Sequence, residues 1–300
     1  MAEGSGGVTY AQKWRVGDVT ITKVVEVESA GGLTGMIPQA TPEALLAIPW
    51  LQPHFMTPDG KLIGSVHALI VQTPSKRIIV DTCSGDDKPR PYTPMDMLKS
   101  GFMDRMNAAG FPPESIDVVL CTHLHVDHVG WNTTLVDGVW KPTFTNARYL
   151  YNRTEYDYWE KGEDSVQMKG WDRIQRLVFA DSVKPILDAG LADFVEPTHQ
   201  ICEEVDLVPT HGHSPGHVSV RIRSKGEQAF ITGDMAHSPA QLAHPEWATV
   251  LDTDPEESTR TRHRIWSTYA GTPTLIIGTH WGGPTAGHIN RDGEVYRLDV

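Results

Sequence analysis

The segment CTHLHVDHVGW, residues 121–131, sets His123, His125, Asp127 and His128 within six positions, directly after the short apolar strand IDVVLC. Such a cluster is wasteful in a core, where polar groups lose their water, and unneeded on a surface. Imidazole nitrogen and carboxylate oxygen both suit Zn2+. Three more apolar runs end the same way. EVDLVP leads into THGHSPGH, which offers His211, His213 and His217; QAFITGD ends on Asp234; TLIIGTH ends on His280. Singly, Asp234 reads equally well as a turn or cap residue, and His280 as a core histidine. Together, the four segments call for a sheet that gathers its strand ends at one edge, where ligand sites in open sheets commonly lie.

The rest of the chain supplies a matching scaffold. GDVTITKVVEVES (17–29) alternates and is rich in β-branched residues, so it reads as a strand. SVHALIVQT (65–73) and KRIIVDT (76–82) read as a strand pair that turns at Pro74 and Ser75. Leu98, Phe102, Met106 and Ala109 recur at helical spacing in MDMLKSGFMDRMNAAG (95–110), with Gly110 as the stop. Residues 151–190 read as mostly helical. Asp254, Pro255 and Glu257 mark the start of a further helix and Gly271 its end. Strands, helices and strands in two halves, with no linker between them, predict a single α/β or α+β layered domain over 1–300. The stretch at about 30–64 is punctuated by glycine and proline yet apolar, and reads as a lid-like insert.

Hydrophobic residues make up 39% of the 300 and charged residues 21%, which allows a sizeable core. A formal net charge of −12 argues against nucleic acid and anionic membranes as partners. No apolar run is long enough to span a bilayer. Cys83, Cys121 and Cys202 are far apart and form no CxxC pair, which suits a reducing compartment. MAEGSGGVTYAQKW lacks the basic and apolar regions of a signal peptide, so a cytoplasmic location is expected.

In their order, HxHxDH, GHSPGH, a strand ending in GD and a strand ending in GTH resemble the motifs of the metallo-β-lactamase superfamily, from about Ser65 to His288. VDTCSG (80–85) looks like that family's early Asp-Thr-Gly turn, with Cys83 where glycine is usual. The resemblance implies an αβ/βα four-layer sandwich, two mixed sheets back to back with helices outside. It also implies two Zn2+ per chain, with Mn, Co or Fe as other divalent choices. One metal would take His123, His125 and His213, the other Asp127, His128 and His280, with Asp234 bridging them beside a water or hydroxide. That hydroxide would attack a carbonyl or phosphoryl centre, and Asp127 or Asp234 would shuttle the proton. Asp81 would orient a ligand or fix its turn, and His211 and His217 would be structural. Cys121, in a buried strand, reads as packing.

Within the superfamily, Asp234 and the absence of a leader distinguish the chain from class B β-lactamases. The short stretch after His280 and the acidic charge lead us to expect neither a glutathione-binding helical region, nor a flavodoxin domain, nor a nucleic-acid module. What remains resembles the lactonase and methyl parathion hydrolase-like branch, which implies an ester-type bond: a carboxylic ester, a lactone or a phosphotriester. Lactonases commonly carry a tyrosine three residues after the bridging aspartate. Here that position is His237, a candidate hydrogen-bond donor to an oxyanion. Leu33, Met36, Ile37, Trp50, Leu51, Phe55 and Met56, with Gln241, His244, Trp247 and Trp281, are the expected walls of a pocket for a hydrophobic small molecule. The alternatives are a mononuclear-iron persulfide dioxygenase-like enzyme and a β-lactam hydrolase on the same scaffold. Relatives often dimerise, and the tryptophans permit a homodimer.

Overall fold

The computed structural model describes residues 11–161 and 171–300. Strands β1 (Ala11–Val16), β2 (Val19–Ala30), β3 (Ile63–Gln72), β4 (Arg77–Val80) and β5 (Val118–Leu120) come first. A small hairpin of β6 (Thr133–Val136) and β7 (Val139–Pro142) precedes β8 (Arg148–Asn152) and β9 (Ala192–Val195). One sheet runs β1-β2-β3-β4-β5-β8-β9. The second takes β10 (Gln200–Cys202), β11 (Val205–Pro209), β12 (Val218–Ser224), β13 (Glu227–Ile231), β14 (Leu275–Ile277), β15 (Ala286–Asp292) and β16 (Val295–Asp299) in that order. Both are mixed: β4, β5, β8 and β9 run parallel in the first, and β13 and β14 in the second.

The layers follow from side-chain alternation along buried strands. Val118 and Leu120 of β5 point inward, where they join Leu69, Val71 and Ile78 against Leu207, Val220 and Ile231 of the other sheet. Val119 points outward, to a second core with Phe102, Met106, Tyr149 and Trp159. Among the described residues, seven α-helices lie outside the sheets: α1 (Pro42–Leu46), α2 (Phe102–Ala108), α3 (Arg153–Glu160), α4 (Trp171–Val178), α5 (Lys184–Asp188), α6 (Ala240–Ala243) and α7 (Pro255–Tyr269). α2 to α5 cover the first sheet, while Leu242, Ile265 and Trp266 of α6 and α7 cover Phe230 and Ile276 of the second. The result is the four-layer α/β sandwich expected. Asp254 caps α7 as read from the sequence, its carboxylate accepting from Glu257 N at 2.9 Å. The region 151–190 is helical in α3, α4, a π-helical turn at Phe179–Val183 and α5; residues 162–170 lie outside the described residues.

The helix expected over 95–110 begins only at Phe102. Ser100 gives its N–H (2.8 Å) and its Oγ–H (2.7 Å) to Asp86 Oδ1, and Gly101 turns at φ 70°, so the preceding residues are tied to another loop instead of coiling. The 30–64 stretch divides by depth. Leu33, Thr34 and Met36 border a cavity. Ile37, Leu45, Ile48, Leu51, Phe55 and Met56 are buried in the core outside the second sheet, where Phe55 meets Trp281 edge-on at 6.5 Å. Apolar side chains at that depth gain from burial as core residues do, and Leu33 belongs to the same core while also bordering the cavity.

Candidate metal centre

Parallel pairing of β4 and β5 sets Val80 opposite Leu120, so the two strands release Asp81 and Thr122 side by side. Asp81 turns at φ 59°, a left-handed conformation that aspartate tolerates. Its carboxylate accepts from Thr122 N (2.7 Å), Thr122 Oγ1 (2.9 Å) and His128 Nδ1 (2.9 Å), the orienting role expected of it. In the second sheet, β13 and β14 pair Ile231 with Ile277, so Asp234 and His280 leave at the same edge. His213 stands in the connection from β11 to β12.

The seven residues singled out as ligands converge. Asp234 Oδ2 lies 3.1 Å from His128 Nε2, 3.1 Å from His280 Nε2, 3.6 Å from His213 Nε2 and 3.8 Å from His123 Nε2. His213 Nε2 is 3.0 Å from His125 Nδ1. Asp127 reaches His280 Nε2 at 3.5 Å and His128 Nε2 at 3.6 Å. Their spacing makes two donor groups, His123 with His125 and His213, and Asp127 with His128 and His280. Asp234 joins further groups with His123 and His128 and with His213 and His237.

The donor chemistry fits a divalent cation. His128, His213 and His280 each give Nδ1–H to an acceptor: Asp81 (2.9 Å), Asp252 Oδ1 (2.8 Å) and the Ser65 carbonyl (3.0 Å). Each therefore points its Nε2 toward Asp234, the nitrogen left over to bind a cation. His123 Nε2 and Asp234 Oδ1 are buried with no hydrogen-bond partner. Lone pairs and a carboxylate packed together call for positive charge between them. Burial drives His123 well below the ordinary imidazole range, leaving it neutral, the ligating form. Burial also opposes charge on His280, yet the Asp234 carboxylate overrides it and raises that imidazole to about 9. In the absence of a metal, protons would supply the positive charge.

His237 Nε2 is 3.2 Å from Asp234 Oδ2, and its ring stacks on His280 at 5.3 Å. It is buried and does not border the cavity. Gln241 Oε1 fixes its loop by accepting from His237 N at 2.7 Å. His217 accepts from Asp234 N through Nε2 (2.8 Å) and bonds Thr210 Oγ1 through Nδ1 (2.9 Å), a structural part as expected. Gly233 is required there: at φ 55° an added Cβ would sit 2.5 Å from His217 Nε2. His211 contributes its backbone carbonyl to Thr261 Oγ1 (2.8 Å).

A cavity of about 440 Å³ opens over the centre, bordered by His125, Asp127, Asp234 and His280. Leu33, Met36, Met95, Leu98 and Leu251 supply apolar walls, with Tyr92 exposed at the rim. Gln241, His244, Trp247 and Trp281, expected as walls, do not border it. Trp281 is buried and its Nε1 donates to the Ala236 carbonyl (3.3 Å), while the His244 ring stacks on Trp247 at 4.1 Å. The motif reading missed Met95, Leu98, Asp252 and Glu155. Asp252 lies inside a stretch matched by resemblance, but nothing local marks it as the acceptor behind His213.

A sandwich of this kind, with histidines and aspartates gathered at its strand ends, defines a metallohydrolase scaffold. The chain belongs to the metallo-beta-lactamase superfamily, whose model matches residues 63–288. An N-acyl homoserine lactonase of Bacillus cereus is 25% identical over 196 residues, 61% of this chain and 68% of that protein. The N-acyl homoserine lactonase AttM of Rhizobium radiobacter is 27% identical over 154 residues, 49% of this chain and 51% of that protein. Among solved structures, the hydrolase AbOPH of the beta lactamase superfamily aligns with a TM-score of 0.79 at 23% identity, covering 97% of each chain. AidC, a dizinc quorum-quenching lactonase, aligns at 0.76 and 21% identity, covering 96% of each. At such identities these two alignments show a shared fold. Among the described residues no helix is long and apolar enough to cross a membrane.

Proposed function

We propose that this chain is a cytoplasmic dinuclear zinc hydrolase that cleaves an ester-type bond in an uncharged, fairly hydrophobic small molecule. A lactone is the first choice, with carboxylic esters and phosphotriesters within reach of the same chemistry. One observation carries the reading: both donor groups open into a single cavity with apolar walls, and none of the described residues bordering it is a lysine or arginine. Relatives named N-acyl homoserine lactonase support the lactone.

His123, His125 and His213 would hold one cation, Asp127, His128 and His280 the other, and Asp234 both. Bound there, divalent cations would supply an acidified water and Lewis-acid polarisation of the substrate oxygen. The other steps fall to the chain. Leu33, Met36, Met95 and Leu98 hold the substrate's apolar part and exclude water. Asp127, the more open carboxylate with 17% of its side chain exposed, carries the proton to the leaving oxygen. His237 acts through Asp234 as a positioning residue.

The single-iron alternative is not favoured, because Asp127, His128 and His280 form a complete second donor group. β-Lactam hydrolysis would set a carboxylate against walls without a cationic side chain. Protein purified without chelator should contain two zinc ions per chain by elemental analysis. It should also hydrolyse acyl lactones of increasing chain length in preference to β-lactams. A stable ratio of one iron per chain with oxygen-dependent activity would sink the proposal.

A further inference from the structure

Glu155 lies in the first turn of α3, fully buried, with no part in the donor groups described above. Its carboxylate faces hydrogen-bond donors on every side. Oε1 accepts from Leu124 N (3.1 Å) and Trp159 Nε1 (2.6 Å), and Oε2 from Ser214 Oγ (2.7 Å) and Gly216 N (2.9 Å). Leu124 is the residue between His123 and His125, and Ser214 follows His213. One side chain therefore joins the two loops that bring the three-histidine group together. The fit is close: a Cβ on Gly216 would come within 2.3 Å of Glu155 N, so only glycine lets the second loop approach α3. Trp159, held by the same carboxylate, sets its ring against His125 at 5.2 Å. Gln175 Nε2 donates to the Leu124 carbonyl, fixing that peptide from its other side.

We infer that Glu155 is a positioning residue that sets the spacing of His123, His125 and His213, and so the affinity of that one metal site. The inference rests on the two-metal reading proposed above. A carboxylate accepts through both oxygens. A glutamine in its place would turn an NH2 group toward donors on one of the loops, and a buried donor facing a donor pushes the loops apart. Residues behind metal ligands commonly control affinity in this way.

The test is a zinc titration of metal-free protein against a chromophoric chelator, run on the wild type, Glu155→Gln, Ser214→Ala and His213→Ala. His213→Ala removes a donor from the three-histidine group and so identifies that group's binding phase. Glu155→Gln should weaken that phase on the order of 10–100-fold and leave the other as in the wild type. Ser214→Ala keeps the carboxylate and should weaken the same phase less. Wild-type binding in both variants, or equal weakening of both phases, overturns the inference. If Glu155→Gln does not fold, Ser214→Ala decides by the same outcomes. A wild type that binds only one ion overturns instead the two-metal reading. The role of Glu155 then stands only if Glu155→Gln and Ser214→Ala weaken the ion that His213→Ala removes, and falls otherwise.

Discussion

Asp252 stands behind His213, one of the candidate ligands. The Asp252 carboxylate accepts from His213 Nδ1 (2.8 Å), Thr249 Oγ1 (2.8 Å) and Thr249 N (3.2 Å), with the Arg262 guanidinium 3.7 Å away. Burial opposes its charge, but the hydrogen bond from His213 and the nearby cation hold it below the usual carboxylate range. Asp252→Asn would put an amide NH2 against one of these donors or withdraw the acceptor from His213. We expect zinc affinity at the three-histidine group to fall roughly 10–100-fold, read by metal titration, with the fold retained by circular dichroism. Unchanged affinity would mean that packing alone orients the ring. The candidate donor groups were legible in the sequence because their residue types and their place after apolar runs carry the signal. Asp252 and Glu155 were not, because a carboxylate at a turn or in a helix's first turn looks like an ordinary cap. Only contacts far apart in the chain reveal the difference, such as the 31 positions between Leu124 and Glu155.

At the scale of elements, the strands that deliver the ligands were readable as apolar runs bounded by turn residues, and so was the capped start of α7. The late start of α2, after Gly101, was not, because Leu98 fits a helical stripe equally well when it lines a cavity. Depth within the 30–64 stretch was equally hidden, since apolar lid residues and apolar core residues share a composition. This distinction yields a paired expectation. Phe55→Ala should lower stability by about 3–5 kcal/mol, as for a buried aromatic, with substrate preference unchanged. Met95, half-buried at the cavity wall, should behave in reverse. Met95→Ala should shift kcat/KM between short and long acyl lactones while the melting temperature moves little. Denaturant unfolding and a chain-length series measure the two effects. A change of preference in Phe55→Ala without loss of stability would return that residue to the lid.

Across the whole molecule, stability carries a pH signature from Glu26 on β2. Its carboxylate accepts from Ser84 N (2.8 Å), Gly85 N (3.1 Å) and Trp131 Nε1 (2.7 Å), tying the first sheet to the loops above it. Burial nevertheless raises its pKa from 4.5 to about 7. With the folded value above the unfolded one, the folded state holds the proton more tightly. That contribution is fully present below pH 4.5 and is lost as the pH rises through about 7. Relative to Glu26→Gln, the wild type should lose about 3 kcal/mol across that interval, measured by urea unfolding at stepped pH. A constant difference would show that the three donors keep Glu26 ionised throughout. The division of the sheets has a consequence of another kind. The first sheet is built wholly from residues 11–195 and the second from 200–299. The two groups that would each hold a cation draw on both: His123 and His125 on one half and His213 on the other, Asp127 and His128 on one and His280 on the other. During synthesis the first half leaves the ribosome with incomplete donor sets, and neither set closes until the chain has been made through His280. Either half alone therefore lacks part of both three-residue donor groups.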